Sequence, residues 1–296
     1  MTRRLGDRRA VAAGAVIVMA AGSVFAAVAI NVVSGGSLAQ LDLRAASWFT
    51  MHSDSAITYA MLLVSATHGT VPVLLMALVF GIYVGWKREW LKLLSLTAAV
   101  PGGMLLNHLI KEIVARPRPQ FPDPAVTLTS YSFPSAHAVA ATVFYGFLAC
   151  HVLGRVRNAA ARTLVTLVAA VVIVVVCFSR IYLRAHYVSD TVAGVCEAIA
   201  WLAVCLTVAR AVAMRSAARG LDVAVRGTRY RRCGQSSDND GCRVMGRVAR
   251  VGCLSARFKG VLRKYLRGPG DPRSDLWDAA MGPKNLFRKS ERNQSN

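Results

Sequence analysis

Near its start the chain carries 24 consecutive residues, 10–33, without a single charged side chain. A helix of about 20 apolar residues is long enough to cross the hydrocarbon core of a bilayer. Four arginines precede this stretch, and we interpret it as a retained membrane anchor. A cleaved signal peptide is the alternative, because Ala27 and Ala29 form a small-residue site. Its apolar core, however, would normally hold only about 7 to 15 residues.

The composition agrees with a membrane protein and excludes a disordered or purely cytosolic one. Hydrophobic residues make up 54% of the chain and charged residues only 17%. The net charge of +21 suggests nucleic acid or an anionic membrane surface as a partner. Residues 213–296 hold 19 basic and 7 acidic side chains, and the difference between them is more than half of the net charge of the chain. We therefore predict a transmembrane domain over residues 1–212 and a basic cytoplasmic tail over 213–296.

Apolar stretches recur along the first domain and predict an all-α, polytopic fold with six transmembrane helices. Residues 56–86 are too long for one crossing, and His68, Gly69 and Pro72 interrupt them. We expect a short interfacial helix before this break and the second span after it. The remaining spans are predicted at residues 91–114, 135–153, 160–178 and 191–208.

The distribution of Lys and Arg orients these spans, because basic short loops stay on the cytoplasmic side. With the amino terminus inside, every predicted inner segment is basic, and the outer segment 34–55 has one Arg against two Asp. Five cations nevertheless fall on the outer side, where a reason for them is needed. They are Lys111, Arg116, Arg118, Arg180 and Arg184.

The outer end of the third span contains Lys111, Arg118 and Pro119. Twenty residues of helix from Leu91 rise about 30 Å, which places Lys111 at the outer interface. The flanking prolines cannot continue the helix, so the chain can bring Arg118 back over Lys111. The alternative is that both are cations that snorkel to the interface.

The segment before the fourth span contains Ser135, Ala136 and His137. A helix begins here, and its unpaired backbone N–H groups and positive dipole end make an anion site. The simpler interpretation is that Ser135 only caps the helix, which leaves His137 unexplained.

The third element joins the fifth and sixth spans and contains Arg180, His186 and Asp190. If the chain is helical from His186, the spacing places Asp190 beside it, where a carboxylate can fix one tautomer of the imidazole. This is the pairing of a nucleophile with the group that orients it. All three elements lie at outer span ends in the predicted topology, and we interpret them as one site.

At these residues the sequence resembles the type 2 phosphatidic acid phosphatase family, whose signature is K-x6-R-P, then P-S-G-H, then S-R-x5-H-x3-D. The matching segments are residues 111–119, 134–137 and 179–190, in the same order. We call them the first, second and third motifs. The resemblance covers residues 10–212, and Ala136 stands where the family pattern has Gly.

The resemblance implies a metal-independent phosphatase that acts through a phosphohistidine intermediate and needs no cofactor. It makes His186 the nucleophile and Asp190 the residue that orients it. His137 would protonate the leaving oxygen and then activate water. The residues that the resemblance assigns to phosphoryl binding are Lys111, Arg118, Ser135, Ala136 and Arg180.

A phosphate pocket at the ends of membrane helices suits a substrate with its head in water and its tail in lipid. Phosphatidate, phosphatidylglycerol phosphate and polyprenyl diphosphates such as undecaprenyl diphosphate all fit this description. We expect a multi-pass protein of the cell (inner) membrane with its site on the extracytoplasmic face. A membrane transporter, or a tail-driven binding protein with a degenerate phosphatase domain, is the alternative.

Three further features of the sequence bear on the site and on the tail. Glu197 lies inside the sixth span, and Asn107 and His108 lie one turn before Lys111, so each could support the site or only fix the bundle. Residues 243–267 alternate basic and apolar side chains at helical spacing, which indicates an amphipathic helix on anionic lipid more than a nucleic-acid patch. The spacing of the seven cysteines predicts neither a compact metal site nor a disulfide framework.

Overall fold

The computed structural model describes residues 2–118 and 130–233, and for residues 2–8 and 217–233 it describes the backbone alone. Within these ranges the chain forms helices and no strand, so the predicted all-α class is confirmed. In chain order the helices are α1 (Thr2–Val33), α2 (Ser37–Met51), α3 (Ser55–Thr67), α4 (Thr70–Trp86), α5 (Trp90–Val114), α6 (Ala136–Leu153), α7 (Ala159–Tyr182) and α8 (Val188–Cys233).

Of the helices described, five are long and apolar enough to cross a membrane. They contribute the segments Arg9–Val33, Trp90–Val114, Ala136–Leu153, Ala159–Tyr182 and Val188–Ser216. Helices α3 and α4 meet at a break with a bend of 50°, and together they pass the same test. When this pair is counted as one broken span, the total is the predicted six. The break falls at His68 and Gly69, as expected, while the interfacial position of α3 stays a prediction.

The first span packs along the last one. Helix α1 lies against α8, and Gly14 allows the two backbones to approach closely. A Cβ atom on Gly14 would lie 2.1 Å from Oγ1 of Thr207, so a larger residue would force Thr207 to move. Small residues at such contacts are typical of membrane helix pairs. The retained anchor remains a prediction, and this contact is the one that a retained span would make.

Helices α4, α5, α6 and α8 enclose the main apolar core, which includes Val73, Val100 and Val143. Trp201 links α8 to α5, because its indole Nε1 donates to the carbonyls of Ala98 and Ala99 at 3.1 Å. Gly102 and Gly103 of α5 provide the room that the indole ring occupies. The packing fixes α5 against α8, and these two helices carry residues of the first and third motifs.

The three motifs meet at one end of the helix bundle. Helices α5 and α7 end there, while α6 and α8 begin there. This arrangement follows from four antiparallel crossings in succession, which bring every second helix terminus to the same side. The opposite end carries the turn between α4 and α5, where Glu89 bridges Lys92 at 3.0 Å and Arg155 at 2.8 Å.

Helix α8 continues beyond the predicted sixth span. It runs without a break to Cys233, so the predicted domain boundary at residues 212 and 213 falls inside a helix. The expected amphipathic helix at 243–267, like the rest of residues 234–296, lies outside the described residues.

Candidate active site

The first motif begins in the last turn of α5. Lys111 is buried, and its Nζ donates to the carbonyl of Tyr131 at 2.6 Å. The helix ends at Val114, and the capping residue Ala115 that follows it has a left-handed backbone with φ of 47°. This turn reverses the chain, so that Arg116 and Arg118 reach back towards α8 rather than away from the bundle. Pro119, the last residue of the motif, lies outside the described residues.

The guanidinium of Arg118 links the first motif to the third motif and to the segment that precedes the second. Its Nη1 donates to the carbonyl of Ala185 at 2.7 Å, and its Nε donates to the carbonyl of Ser130 at 2.6 Å. The same Nη1 lies 3.2 Å from Nε2 of His186. Burial lowers the pKa of Arg118 from its ordinary value, while the nearby Asp190 opposes that shift. An arginine so placed is still a cation at neutral pH.

The contact between Arg118 and His186 fixes the tautomer of the imidazole. A guanidinium only donates, so Nε2 of His186 must accept with its lone pair. The proton of the neutral ring is then on Nδ1, which lies 3.5 Å from Oδ2 of Asp190, at the outer limit of a hydrogen bond. His186 thus presents the unprotonated nitrogen that a nucleophile requires.

The second motif forms the start of α6, with Ser135 at the N-cap position. Its side chain makes no capping hydrogen bond, and its buried Oγ has no partner, so the simple capping interpretation does not describe it. The backbone N–H of Ser135 donates to the carbonyl of Asp190 at 3.0 Å, which joins the second motif to the third. The N–H groups of the following first turn, at Ala136 and His137, therefore keep the anion-binding potential of a helix start.

His137 is half-buried and lies within electrostatic range of Arg180 and His186. The break between α3 and α4 covers it, since a Cβ atom on Gly69 would lie 3.6 Å from Nε2 of His137. The interrupted span thus forms one wall of the site. The sequence predicts this break but gives no reason to connect it with His137.

The third motif runs from the end of α7 into α8. Arg180 is buried, and its Nη1 donates to the hydroxyl of Ser65. Helix α8 begins at Val188, so His186 precedes the helix and the carboxylate of Asp190 reaches back towards it. The other contact of Oδ2 is the backbone N–H of Tyr187, at 3.0 Å. The predicted pairing of His186 with Asp190 is present, although a helix starting at His186 is not.

Several buried donors at this end of the bundle have no acceptor. They include Nε and Nη2 of Arg180 and the hydroxyl of Ser135. A buried polar group without a partner costs about 1 to 3 kcal/mol, and more when it is charged. An anion placed between these groups would satisfy them. Lys111, Arg118 and Arg180 are close enough to influence one another electrostatically, so the site concentrates positive charge.

Two residues at the site were not assigned a role from the sequence. The sequence marks Arg116 only as a cation on the unexpected side, yet its Nη1 donates to Oδ1 of Asp190 at 2.6 Å. In the sequence Asp42 is only one of two acidic residues in the outer segment, yet it is buried and accepts from Nη2 of Arg116 at 2.9 Å. The position of Arg116 against the charge rule was a signal. The sequence gives no signal for Asp42, because its contact with Arg116 joins residues far apart in the chain.

Of the three additional residues singled out in the sequence, Asn107 and Glu197 contact each other, and His108 lies apart from them. Nδ2 of Asn107 donates to Oε2 of Glu197 at 3.0 Å and to the carbonyl of Pro134 at 3.4 Å. This buried pair therefore lies beneath the second motif, and Glu197 is within electrostatic range of Lys111. His108 is instead exposed on the bundle surface. In the part of the chain described, no three His, Cys, Asp or Glu side chains are grouped so that they could bind a metal ion.

Known proteins resemble this chain in sequence and in fold. A sequence model of the PAP2 superfamily matches residues 90–213. The phosphatidylglycerophosphatase B of Bacillus subtilis is 34% identical over 110 residues, which are 37% of this chain and 53% of that protein. The chain thus matches about half the length of this curated relative.

A crystal structure described as the first transmembrane PAP2 type phosphatidylglycerolphosphate phosphatase from Bacillus subtilis has a similar fold. The TM-score is 0.58 at 24% identity, and the match covers 64% of this chain and 93% of that one. At this identity the likeness establishes the fold. The superfamily match contains all three motifs, from Lys111 to Asp190. Residues 90–213 of this chain are therefore similar to the PAP2 superfamily.

Proposed function

We propose that the chain is an integral membrane phosphatase that hydrolyses a phosphomonoester or pyrophosphate of a lipid. One observation carries this proposal: Nε2 of His186, which has a free lone pair in the neutral ring, lies 3.2 Å from Nη1 of the cation Arg118. Asp190 backs the other nitrogen of the ring. A nucleophile with an orienting carboxylate and positive charge around the transferred group is what phosphoryl transfer needs.

In the first chemical step, Nε2 of His186 forms a bond to phosphorus while the bond from phosphorus to the lipid oxygen breaks. His137 donates a proton to that oxygen, which leaves as a lipid alcohol or, from a diphosphate, as a lipid monophosphate. The phosphate dianion favours the protonated form of His137, because it brings negative charge beside it. Such acid catalysis contributes roughly 10²- to 10⁴-fold in rate.

In the second step, water attacks phosphorus and the bond between phosphorus and Nε2 breaks. His137, now neutral, takes a proton from the water, and inorganic phosphate is released. Asp190 stabilises the positive charge that His186 carries in the phosphohistidine intermediate. The residue roles given by the family resemblance thus form a closed cycle in which both histidines return to their starting state.

We propose that this chemistry needs no metal ion. Lys111, Arg118 and Arg180 would balance the phosphoryl charge, and the first turn of α6 would add backbone N–H groups from Ala136 and His137. The buried donors of Arg180 and Ser135 support this role, because each lacks an acceptor.

The proposed substrate class is an anionic phosphate on a lipid tail, because the site lies at the ends of apolar helices. Among the candidates, phosphatidylglycerol phosphate is the first to test, since the curated relative is a phosphatidylglycerophosphatase B. Phosphatidate and a polyprenyl diphosphate share the same head-and-tail chemistry and belong in the same panel.

We propose that the site faces away from the cytoplasm. The basic residues in and beside the α4–α5 and α6–α7 turns lie at the opposite end of the bundle and include Lys87, Arg157 and Arg162. Basic short loops remain cytoplasmic in most membrane proteins. The tail beyond Cys233 would then be cytoplasmic too, and its contact with anionic lipid remains part of the proposal.

The test is phosphate release by purified protein from a panel of lipid phosphates, with excess chelator present. His186→Ala should lower turnover by roughly 10³-fold or more, because no neighbouring group replaces the nucleophile. His151→Ala, at the far end of α6, is a matched control and should retain activity. Vanadate should inhibit. Comparable turnover in His186→Ala would refute the mechanism, and a strict metal requirement would refute metal independence. A transporter or binding protein would release no phosphate from any member of the panel.

A further inference from the structure

The side of Asp190 that faces away from His186 is held by a second charged pair. Arg116 donates through Nη1 to Oδ1 of Asp190 at 2.6 Å and to the hydroxyl of Ser189 at 2.8 Å. Its guanidinium also lies over the ring of Tyr187, with 4.1 Å from Cζ to the ring centroid. Only 11% of the Arg116 side chain is exposed. The ion pair is therefore largely shielded from water, where charged hydrogen bonds are strong.

Asp42 of α2 completes this arrangement from a distant part of the chain. It is 3% exposed and accepts from Nη2 of Arg116 at 2.9 Å. It also accepts from the backbone N–H of Ser189 at 3.0 Å and from the Ser189 hydroxyl. The first N–H groups of a helix have no partner within it, so Asp42 caps the start of α8 from another helix. One guanidinium thus joins two buried carboxylates at the helix start that carries Asp190.

The contacts of Asp190 show what this pair controls. Oδ1 is bonded to Arg116, and Oδ2 accepts from the N–H of Tyr187 and lies 3.5 Å from Nδ1 of His186. With one oxygen tied, the carboxylate cannot rotate about its own axis without breaking a charged hydrogen bond. The distance to His186 is long enough that a small rotation would decide whether that hydrogen bond forms.

We propose that Asp42 and Arg116 are positioning residues that hold Asp190 in the orientation in which it supports His186. This inference rests on the proposed phosphatase function. Arg116 acts through Asp190 and does not touch the substrate, because its Nη1 and Nη2 hydrogen bonds go to Asp190, Ser189 and Asp42. Without Arg116, two buried carboxylates would face one helix start, and like charges so close together disfavour having both ionised.

A fourth phosphate-binding cation is the competing role for Arg116, and kinetics separate the two. A positioning residue affects the chemical step, so Arg116→Gln should lower kcat by roughly 10- to 100-fold, the scale of coupling within one charged network. KM and the vanadate inhibition constant should change less than about twofold. A phosphate-binding role would instead raise both constants. Arg116→Lys should recover part of kcat, since it keeps the charge but loses the two-pronged geometry.

The decisive experiment adds Arg116→Gln to Asp190→Asn. If Arg116 acts through Asp190, adding Arg116→Gln should lower kcat by less than about twofold relative to Asp190→Asn alone. If Arg116→Gln lowers kcat in the Asp190→Asn variant as much as it does in the wild type, the proposal is overturned. Asp42→Asn should show the same dependence on Asp190 with a smaller loss, because Arg116 keeps its direct bond. The matched control is Arg44→Gln, an exposed arginine on α2 two residues from Asp42.

Melting in detergent accompanies each assay, so that unfolding is separated from loss of chemistry. Should Arg116→Gln fail to fold, Arg116→Lys with and without Asp190→Asn takes its place, and the same dependence is required. His186→Ala in the same series separates the two proposals. If it is inactive while Arg116→Gln turns over like the wild type, only the positioning role fails. If His186→Ala remains active, the proposed function itself fails.

Discussion

At the scale of single residues, the environment of His186 decides what the site can do. Burial lowers the pKa of His186 to about 4; Asp190 opposes this shift, and the positive charges of Arg118 and Arg180 add to it. His137 is the other titratable group that faces the ring. A histidine with its pKa so far below neutrality keeps its lone pair under ordinary conditions, as a nucleophile must.

This pKa predicts the acid side of the pH–rate profile. Protonation removes the lone pair, so kcat/KM should hold as the pH falls below 6 and decline only as it passes through about 4. The measurement is kcat/KM from about pH 3 to about pH 8 with a soluble short-chain lipid phosphate. Return of samples to neutral pH should restore activity, which distinguishes titration from unfolding. Half-loss near the ordinary histidine pKa of about 6.5 would contradict the assigned environment.

The motif residues could be predicted from the sequence because their chemistry and spacing are unusual together. Lys111, His137 and Asp190 all come to one end of the bundle, as expected. The contact of Arg116 with Asp42 could not be predicted, because it joins residues 74 positions apart through a helix that the sequence does not mark. A single Asp between two spans looks like any exposed charge until the fold buries it.

At the scale of helices, the site depends on how closely α6 approaches α8. Gly194 makes this approach possible, since a Cβ atom there would lie 2.8 Å from the carbonyl of Ser135 and 3.1 Å from Cβ of Ala138. The contact keeps the hydrogen bond from Ser135 N–H to the carbonyl of Asp190 at 3.0 Å. The start of α6 and the start of α8 are thereby locked together.

Gly194→Ala should therefore disturb catalysis more than stability. The methyl group must push the α6 backbone away, and overpacking of this kind costs about 1 to 3 kcal/mol, partly offset by the better helix propensity of Ala. A shift of the first turn of α6, the proposed phosphate-binding turn, should lower kcat/KM by roughly 10- to 100-fold. Turnover and the melting temperature of the variant in detergent check this. Gly22→Ala on α1, where a Cβ atom meets nothing within 4 Å, is the control, and wild-type turnover in Gly194→Ala would contradict the argument.

The spans were predictable to within a few residues because bilayer thickness sets their length. The predicted 91–114 and 135–153 correspond to Trp90–Val114 and Ala136–Leu153. The ends of α7 and α8 were underestimated, since the hydrophobic pattern stops before the helix does. Helix α2 had no such pattern to reveal it, and only its packing on α8 gives Asp42 a role.

At the scale of the whole molecule, the charges separate into two kinds. The cations at the site are buried or half-buried and pair with groups of the bundle, whereas Arg157 and Lys87 at the opposite end are exposed. Loop charges of the second kind orient membrane proteins during insertion, and this separation supports the proposed extracytoplasmic site.

Single cysteines in a cysteine-free variant test this orientation. Glu112→Cys lies at the site end and Arg157→Cys at the opposite end, and both positions are exposed. In intact cells, a membrane-impermeant thiol reagent should label Glu112→Cys, while Arg157→Cys should react only after permeabilisation. The reverse pattern would invert the topology and change the accessible substrate pool.

The central claim is that a phosphoryl group passes through His186, and trapping that group tests it most directly. The protein, together with the slow His137→Ala variant, would be mixed with substrate, quenched in alkali to preserve phosphohistidine, and digested for mass spectrometry. The account predicts the mass of one phosphoryl group on the peptide that contains His186, and the loss of that mass when the substrate is exhausted before the quench. His186→Ala should show no such adduct. Sustained turnover without an adduct on the His186 peptide, or a phosphoryl group on another residue, would contradict the account.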